Sequence, residues 1–383
     1  MQVGLDYRYY KGIHKTKIQD LLGGAYLVDP QRAIDGKFKN NPEWTKEKLK
    51  VGDVIYRNYN GYVMQEGLFG QLEYTQDKLS AFVSASANLT NYWRLEKYSA
   101  DNEKSKTVNK FGYAVKGGVN YNLTEHHNVF ANIGYFSRTP FYSSGVFLQA
   151  QRSNDINNEG VNEKVFSFEV GYGFRSKYMN ANLNLYRTAW NDKTMVKLVD
   201  SNNPEKGYMN MTGVNAIHQG VELDIKAKPI KDLELTAMLS LGDWKWDGKP
   251  SGYAYDQDGN AVTTRGAITT PGAEDHAFSS IVLDGIRVGN SAQTTMAFGA
   301  KYYFLNSFRV GINYNFYGRN YAKYQMNADK WGENIITQPW KIPNTNTFDL
   351  YANYKFNIGG LKANLTGNID NLLDAVSIYD ASD

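Results

Sequence analysis

The chain has 383 residues, carries a formal net charge of +3 from 42 basic and 39 acidic residues, and contains no cysteine. This near balance gives no case for nucleic acid as a partner, and the lack of cysteine excludes a disulfide scaffold and thiolate metal sites. An aromatic content of 14% excludes a disordered chain, although the mean hydropathy is only -0.54.

Alternation with a period of two begins at the first residues. In MQVGLDYRYYKGIH, Val3, Leu5, Tyr7 and Tyr9 fall on one face of a predicted strand, and no apolar signal-peptide core precedes it. No stretch approaches the roughly 20 apolar residues that a membrane helix needs, so any membrane-spanning structure would have to be a β-barrel.

The same alternation recurs along the chain and predicts an all-β protein with about thirteen antiparallel strands in one continuous sheet. The predicted strands are 1–13, 54–75, 79–97, 108–122, 128–138, 163–175, 180–198, 215–228, 233–247, 287–304, 307–322, 344–357 and 360–373.

The hairpin at residues 220–246, GVELDIKAKPIKDLELTAMLSLGDWKW, shows the pattern most clearly. Val221, Leu223, Ile225 and Ala227 share one face, while charged residues occupy the other. In a transmembrane barrel the apolar row faces lipid and the charged row faces a wet lumen.

The connections alternate strictly between short and long. The short ones lie at TQDK, NLTEHH, RSKYM, KPIKD, FLNS and NIGG, and the long ones lie near 14–53, 98–107, 139–162, 199–214, 248–286 and 323–343. Since alternate connections of an antiparallel meander lie at opposite ends, this predicts short periplasmic turns and long extracellular loops. A soluble β-sandwich would have shorter strands and no such asymmetry, and a β-helix or repeat adhesin would show a fixed repeat period.

Aromatic residues near the predicted strand ends are expected at the membrane interfaces, where amphipathic rings accumulate. These residues are Tyr74, Tyr121, Tyr135, Phe174, Trp190, Trp244, Phe304, Tyr314 and Phe356. The strand propensity of aromatic residues is the alternative explanation for their abundance.

Four segments resemble the C-terminal barrel of TonB-dependent outer-membrane receptors, with the closest resemblance to those of the Bacteroidetes. They are NVFANIGYFSRTPF (128–141), NEKVFSFEVGYGFRSKYMNANLNLYRTAW (162–190), HQGVELDIKAKPIKDLELTAMLSLGDWKW (218–246) and GNIDNLLDAVSI (367–378). The stretch from Asn371 to Asp374 resembles one that recurs near the C-terminus of such receptors.

The resemblance implies a 22-stranded barrel with a plugged lumen, of which about thirteen strands are present here. It leads us to expect a fragment that lacks the signal peptide, the plug, roughly eight upstream strands and the final strand. Such an isolated chain is expected not to transport, and to aggregate in water because two strand edges and an apolar face are open.

The function implied by the resemblance is active uptake of a scarce nutrient across the outer membrane of a Gram-negative bacterium. A ferric siderophore or similar metal chelate is favoured, while haem, cobalamin, a glycan or a peptide are alternatives. The implied partners are outer-membrane lipids, TonB through the missing N-terminal region, the ligand, and a surface lipoprotein as a candidate. A passive porin or structural barrel is the competing hypothesis, with 16 or 18 strands typical of porins.

The residues give no indication of an enzyme or of a resident cofactor, because no nucleophile, base and acid cluster in the pattern. The histidines lack metal-site spacing, and the His126-His127 pair is predicted to lie in a solvated turn. In GYAYDQDGNAVTT (252–264), the start of a calcium loop competes with an Asp-Gly hairpin, which we favour because the later glutamate is missing. From their place in the long loops, Tyr253, Tyr255, Asp256 and Trp331 are predicted to contact ligand.

Overall fold

The computed structural model describes residues 1–29, 41–98, 102–200, 202–278, 282–304, 307–324 and 338–381. Within these ranges the helical structure consists of single turns at Tyr142–Val146 and Pro204–Lys206. None of the described helices is long and apolar enough to cross a bilayer. Trp331 lies outside the described residues.

The rest of the regular structure is β-sheet, as predicted. The strands are β1 (Gln2–Lys17), β2 (Val54–Gln76), β3 (Leu79–Glu96), β4 (Val108–Asn122), β5 (His127–Arg138), β6 (Glu163–Arg175), β7 (Met179–Leu198), β8 (Tyr208–Ile230), β9 (Leu233–Asp247), β10 (Ser251–Tyr255), β11 (Ala261–Val262), β12 (Ala277–Phe278), β13 (Thr294–Phe304), β14 (Phe308–Gly318), β15 (Asn320–Tyr321), β16 (Lys341–Ile342), β17 (Thr345–Ile358) and β18 (Leu361–Ile369).

Thirteen long strands form one antiparallel path. Its order is β1-β2-β3-β4-β5-β6-β7-β8-β9-β13-β14-β17-β18, so each strand pairs with the long strands before and after it in the chain. Within the described residues β1 and β18 are not paired with each other, and the sheet stays open. The predicted fold, a partial transmembrane barrel, is confirmed in its strand number, direction and order.

The short strands β10, β11, β12 and β16 were not predicted, whereas β15 lies within the predicted strand 307–322. β10, β11 and β12 lie within 248–286, which the sequence indicated as a loop, and β10 continues the sheet by pairing with the start of β8. β8 begins at Tyr208 rather than at residue 215, because pairing with β7 and β10 imposes strand structure where the sequence does not alternate. β13 begins at Thr294 rather than at residue 287.

The alternation of turn lengths is confirmed. Pairs of residues connect β2 to β3, β8 to β9 and β17 to β18, whereas the connections at the other end are longer, among them 139–162 and 248–293. Asp77 in the first of these tight turns has a φ of 49°, and Gly359 and Gly360 in the third have φ values of 56° and 85°. The sheet therefore has a short-turn end and a long-loop end.

The two faces of the sheet differ in polarity along its whole width. Leu223 pairs with Leu183 on one side and Leu239 on the other, while the next residue, Glu222, pairs with Asn184 and Ser240. Apolar side chains on the first face are unusually exposed, from Leu5 at 87% in β1 to Leu365 at 65% in β18. An apolar face of this extent matches the lipid-facing surface of a membrane barrel.

The predicted interface aromatics divide between the faces. Seven lie on the apolar face, namely Tyr74, Tyr121, Tyr135, Phe174, Phe304, Tyr314 and Phe356. The prediction is wrong for Trp190 and Trp244, which lie on the polar face. The indole N–H of Trp190 donates to Glu163 Oε2 at 3.1 Å, and that of Trp244 donates to the Tyr186 hydroxyl at 2.9 Å. An indole N–H that is partly removed from water favours an acceptor, and the polar face supplies one.

Dense packing is concentrated at the long-loop end. Val199, Met209, Met211, Ala254, Val262 and Phe278 form a buried cluster between β8 and the β10–β12 strands. The protein therefore builds its compact core from the long connections, which fixes the loops relative to one another.

Candidate functional site

The connection between β5 and β6, loop 139–162, folds over the polar face of the sheet at the long-loop end. Val146 and Phe147 are buried against Tyr92 of β3. The ammonium group of Lys110 in β4 donates to the Gly160 carbonyl at 2.6 Å. Tyr92 and Lys110 lie on the polar face, so this loop covers the wall of the lumen.

Arg94 of β3 binds loop 139–162 through its guanidinium group. Its side chain is buried, and its two terminal nitrogens donate to the carbonyls of Ala150 and Gln151 at 3.0 and 2.7 Å. The guanidinium lies 3.6 Å from the ring centroid of Tyr59. The Tyr59 ring also stacks with that of His14, with 4.6 Å between the two ring centroids. Its two terminal nitrogens are therefore paired with carbonyls and its face lies on an aromatic ring, while the buried Nε has no hydrogen-bond partner among the described residues.

Arg152 joins three connections at one point, which we call the arginine junction. Arg152 is only 4% exposed. Its Nε and Nη2 donate to the carboxylate of Asp258 at 2.6 and 3.1 Å, and Nη2 also donates to Glu205 Oε2 at 2.9 Å. Burial opposes the positive charge, but the two carboxylates outweigh it and hold the pKa of Arg152 above its ordinary value.

Main-chain and amide contacts reinforce this junction. The Arg152 N–H donates to the Gln257 carbonyl at 2.8 Å, and the Gln257 side chain donates to the Pro204 carbonyl at 2.6 Å. The Gln149 N–H donates to Asn210 Oδ1 at 2.8 Å. Together these bonds link the connections that contain Arg152, Glu205 and Asp258 into one loop cap over the polar face.

Two of the predicted ligand contacts surround a buried histidine. Tyr253 and Tyr255 lie on β10, and the centroids of their rings lie 4.8 and 5.0 Å from that of His276. The Gly272 N–H donates to His276 Nδ1 at 3.0 Å, so Nε2 carries the hydrogen and donates to the Ala254 carbonyl at 2.9 Å. Burial lowers the pKa of His276, which favours this neutral tautomer.

The third, Asp256, organises the turn between β10 and β11. Its carboxylate accepts from the N–H groups of Asp258 and Asn260 at 2.9 and 2.8 Å, and from the Asn260 side-chain amide at 2.9 Å. The pairing of Tyr255 with Ala261 confirms the predicted hairpin. The structure thus brings Tyr253, Tyr255 and Asp256 together beside the arginine junction, and their role in binding ligand stays a prediction.

Sequence reasoning missed Arg94, Arg152 and His276. Arg152 and Asp258 lie 106 residues apart in the chain, and no local pattern marks either as half of an ion pair. His276 had no metal-site spacing, and its partners are a ring pair and two main-chain groups that only the fold assembles.

Comparison with known proteins identifies the architecture. The model of the β-barrel of TonB-dependent receptor-like proteins matches residues 2–372. A search of curated proteins finds no match.

Three solved structures have the same fold. They are the siderophore receptor PiuA from Acinetobacter baumannii (15% identity, TM-score 0.64), the copper transporter OprC (14%, 0.61) and the ferric citrate transporter FecA in its unliganded form (14%, 0.60). The alignments cover 99%, 99% and 100% of this chain but 50%, 50% and 48% of those chains, respectively. The chain thus spans about half the length of these proteins, and at such identities the likeness shows the fold alone.

The predicted resemblance to TonB-dependent receptors is confirmed, while its narrower assignment to the Bacteroidetes type stays a prediction. The matched family consists of receptors, and it accounts for the antiparallel path, the two-faced sheet and the difference between the two ends. The chain belongs to the TonB-dependent receptor family and forms part of its β-barrel.

Proposed function

We propose that this chain is the barrel portion of an outer-membrane receptor that takes up a scarce nutrient with energy supplied through TonB. The observation that carries the proposal is the family match over residues 2–372. The exposed apolar face supports a location in the outer membrane of a Gram-negative bacterium, with outer-membrane lipids as the surroundings of the barrel.

A ferric siderophore or similar metal chelate is the favoured ligand. Two of the solved proteins with this fold are described as a siderophore receptor and a ferric citrate transporter, which supports the choice. A glycan or a peptide is the alternative. For a glycan or peptide ligand, a surface lipoprotein would act as a further partner.

In the proposed mechanism the receptor makes and breaks no covalent bond. Ligand first meets the fixed loops at the long-loop end, where Tyr253, Tyr255 and Asp256 offer aromatic and acidic contacts, together with Trp331. It then passes along the polar face of the sheet. We propose that TonB acts through a receptor segment other than this barrel wall and supplies the work that opens the path.

Uptake by bacterial cells tests the proposal. The intact receptor would be expressed in a host that lacks its own siderophore receptors, and accumulation of radioactive iron from a panel of ferric siderophores would be measured with and without TonB. We expect accumulation of at least one chelate that disappears without TonB. Accumulation that is unchanged without TonB would support the passive porin instead.

The predicted ligand contacts need a separate comparison. Simultaneous replacement of Tyr253, Tyr255, Asp256 and Trp331 by alanine is expected to reduce this uptake at limiting ligand concentration. The protein level in the outer membrane, measured by immunoblot, serves as the control for assembly. Unchanged uptake by the fourfold variant would remove these residues from the ligand site.

A further inference from the structure

A cavity lies at the long-loop end. It has a volume of about 290 Å³ and lies between the outer end of β7, the end of β9 and the residues that follow β15. Residues that line it include Lys193, Lys197, Trp246, Leu283, Lys323 and Tyr324. None of these residues belongs to the arginine junction.

Three lysines give the cavity its charge. Lys193 and Lys197 come from β7, Lys323 follows β15, and no carboxylate is among the described residues that line the cavity. In the described part of the chain, none of these three ammonium groups forms an ion pair with a carboxylate, although Arg152 and Lys206 nearby both do. Cations gathered at one concave site without an acid attract an anion.

The environment of Lys197 shows that two of the three charges, those of Lys197 and Lys323, act on one space. Lys197 lies beyond the roughly ten residues of β7 that a tilted strand needs to cross the hydrocarbon core. Burial lowers the pKa of Lys197, and the charge of Lys323 lowers it further. A bound anion would relieve both effects, because it would replace lost hydration and oppose the repulsion.

Aromatic and apolar side chains form most of the remaining walls of the cavity. Leu283 is buried in a cluster that Trp246 and Tyr324 join. The ammonium group of Lys193 lies 5.2 Å from the ring centroid of Trp190 and 5.9 Å from that of Trp246. A site with a few charged groups on aromatic and aliphatic walls suits a ligand with one charged end and one apolar body.

We propose that this cavity, the lysine pocket, binds a small organic anion in which a carboxylate or phosphate group is attached to a flat, apolar body. The anionic group contacts Lys193, Lys197 and Lys323, and the apolar body lies against Trp246 and Leu283. The inference goes beyond uptake, since binding at this pocket requires neither TonB nor transport.

Selective chemical labelling of Lys197 tests the proposal. The probe is pyridoxal 5′-phosphate, used as an aromatic phosphate reagent on the intact receptor in outer-membrane vesicles. The lysine amine adds to the aldehyde, water leaves, and borohydride delivers hydride to the imine carbon to leave a stable secondary amine. Peptide mapping then gives the extent of labelling at each lysine.

Pyridoxal, which lacks the phosphate, is the matched reagent, and Lys206 is the internal reference because it is exposed and already paired with Asp200 at 2.8 Å. The preference of a lysine is its extent of labelling by pyridoxal 5′-phosphate divided by that by pyridoxal. We expect this preference to be roughly 10-fold greater at Lys197 than at Lys206, because converging charges strengthen anion binding. Equal preferences at the two lysines, or no labelling of Lys197 by the phosphate reagent, would overturn the proposal.

The double variant Lys193→Met with Lys323→Met should reduce the preference at Lys197 to that at Lys206. Lys245→Met is the control, since Lys245 lies outside the pocket and pairs with Asp243 at 3.1 Å. An unchanged preference in the double variant would assign it to the general surface and refute the pocket.

A competition experiment needs no variant and covers the case in which the double variant fails to assemble. 2-Naphthoate should protect Lys197 from pyridoxal 5′-phosphate, whereas the neutral analogue 2-naphthylmethanol should not. Equal protection by both compounds would show an apolar site without anion selectivity and would contradict the inference. Because the readout is labelling, its failure is distinct from a failure of TonB-dependent uptake.

Discussion

At the scale of single residues, Arg152 is the point on which the loop cap depends. It is buried between the carboxylates of Glu205 and Asp258, which come from different connections. Removing one member of a buried ion pair leaves the other charge without a partner, which costs more than the pair itself contributes.

We therefore expect Arg152→Met to lower the free energy of local opening of the loop cap by about 2–4 kcal/mol. Hydrogen exchange at the amides of residues 151 and 152, which donate to Gln257, would report the change as faster local opening, while the long strands keep their protection. Lys206→Met is the matched control, since it removes only the exposed ion pair to Asp200 and should leave the exchange nearly unchanged. Equal exchange in the two variants would show that the junction does not hold the loops.

His276 makes the same region sensitive to pH. In the fold its Nδ1 accepts from the Gly272 N–H, and burial lowers its pKa below the ordinary value of about 6.5. The unfolded segment then binds a proton before the folded one does. The histidine therefore contributes its full stability above about pH 6.5, and that contribution is lost as the pH falls from there toward the lowered pKa.

The groups that face His276 set the size of this response. Tyr253 and Tyr255 flank the ring. The Ala254 carbonyl and then Asp275, whose carboxylate accepts from the Thr269 hydroxyl at 2.7 Å, favour the protonated form and limit the lowering of the His276 pKa. Hydrogen exchange of the 252–278 segment should accelerate between pH 7.5 and 5 after correction for the intrinsic rate. His276→Gln should abolish this additional acceleration, and its persistence in that variant would assign the response to another group.

At the scale of elements, the start of β8 depends on one glycine. Gly207 has a φ of +102°, and a Cβ at this position would lie 2.1 Å from the Tyr255 carbonyl oxygen. The backbone of the loop before β8 therefore approaches the end of β10 more closely than any side chain would permit.

Gly207→Ala is expected to lower the stability of the β8–β10 pairing by about 2–4 kcal/mol, from backbone strain together with the clash. Gly285→Ala is the control for strain alone, because Gly285 has a φ of +77° and open space around it, and it should cost about 1 kcal/mol. The measurement is the rate at which a protease cleaves the 251–278 segment. Equal cleavage rates of the two variants would show that the close approach of Gly207 to Tyr255 does not affect stability.

The elements also show what the sequence could predict. Each long strand was predictable because a one-residue shift would exchange its faces, so a run such as Val221 to Ala227 identifies both strand and face. β10 to β12 escaped prediction because two to five residues are too few to show a period, and pairing with β8 fixes them from outside. The arginine junction depends on contacts between residues 53 and 106 positions apart, for which local sequence has no signal.

The face of a side chain was predictable from alternation, whereas residue type alone gave the wrong face at two strand ends. Trp190 and Trp244 obey the rule of aromatic residues near strand ends, yet their side chains point to the polar face and bond Glu163 and Tyr186. Their residue type predicted a membrane interface, whereas their odd or even position along the strand decided which face they lie on. The position along the strand was therefore the more reliable signal.

At the scale of the whole molecule, the exposed apolar face and the polar face make one further prediction. Leu183 and Asn182 are neighbours on β7 and both are exposed, but they lie on opposite faces, since Leu183 pairs with Leu223 and Asn182 with Asp224. If lipid covers the apolar face, an arginine at position 183 must enter the hydrocarbon core, whereas one at position 182 enters the wet lumen beside a carboxylate.

Leu183→Arg should therefore destabilise the membrane-embedded receptor by about 2–4 kcal/mol, and Asn182→Arg should change its stability little. The free energy of unfolding would be measured by guanidinium titration in lipid vesicles, with loss of the compact form on gels as the readout. A water-exposed sheet gives the opposite expectation, because arginine is tolerated on any solvated strand face. Equal stability of the two variants would therefore place both faces in water and would contradict the assignment of the apolar face to the bilayer.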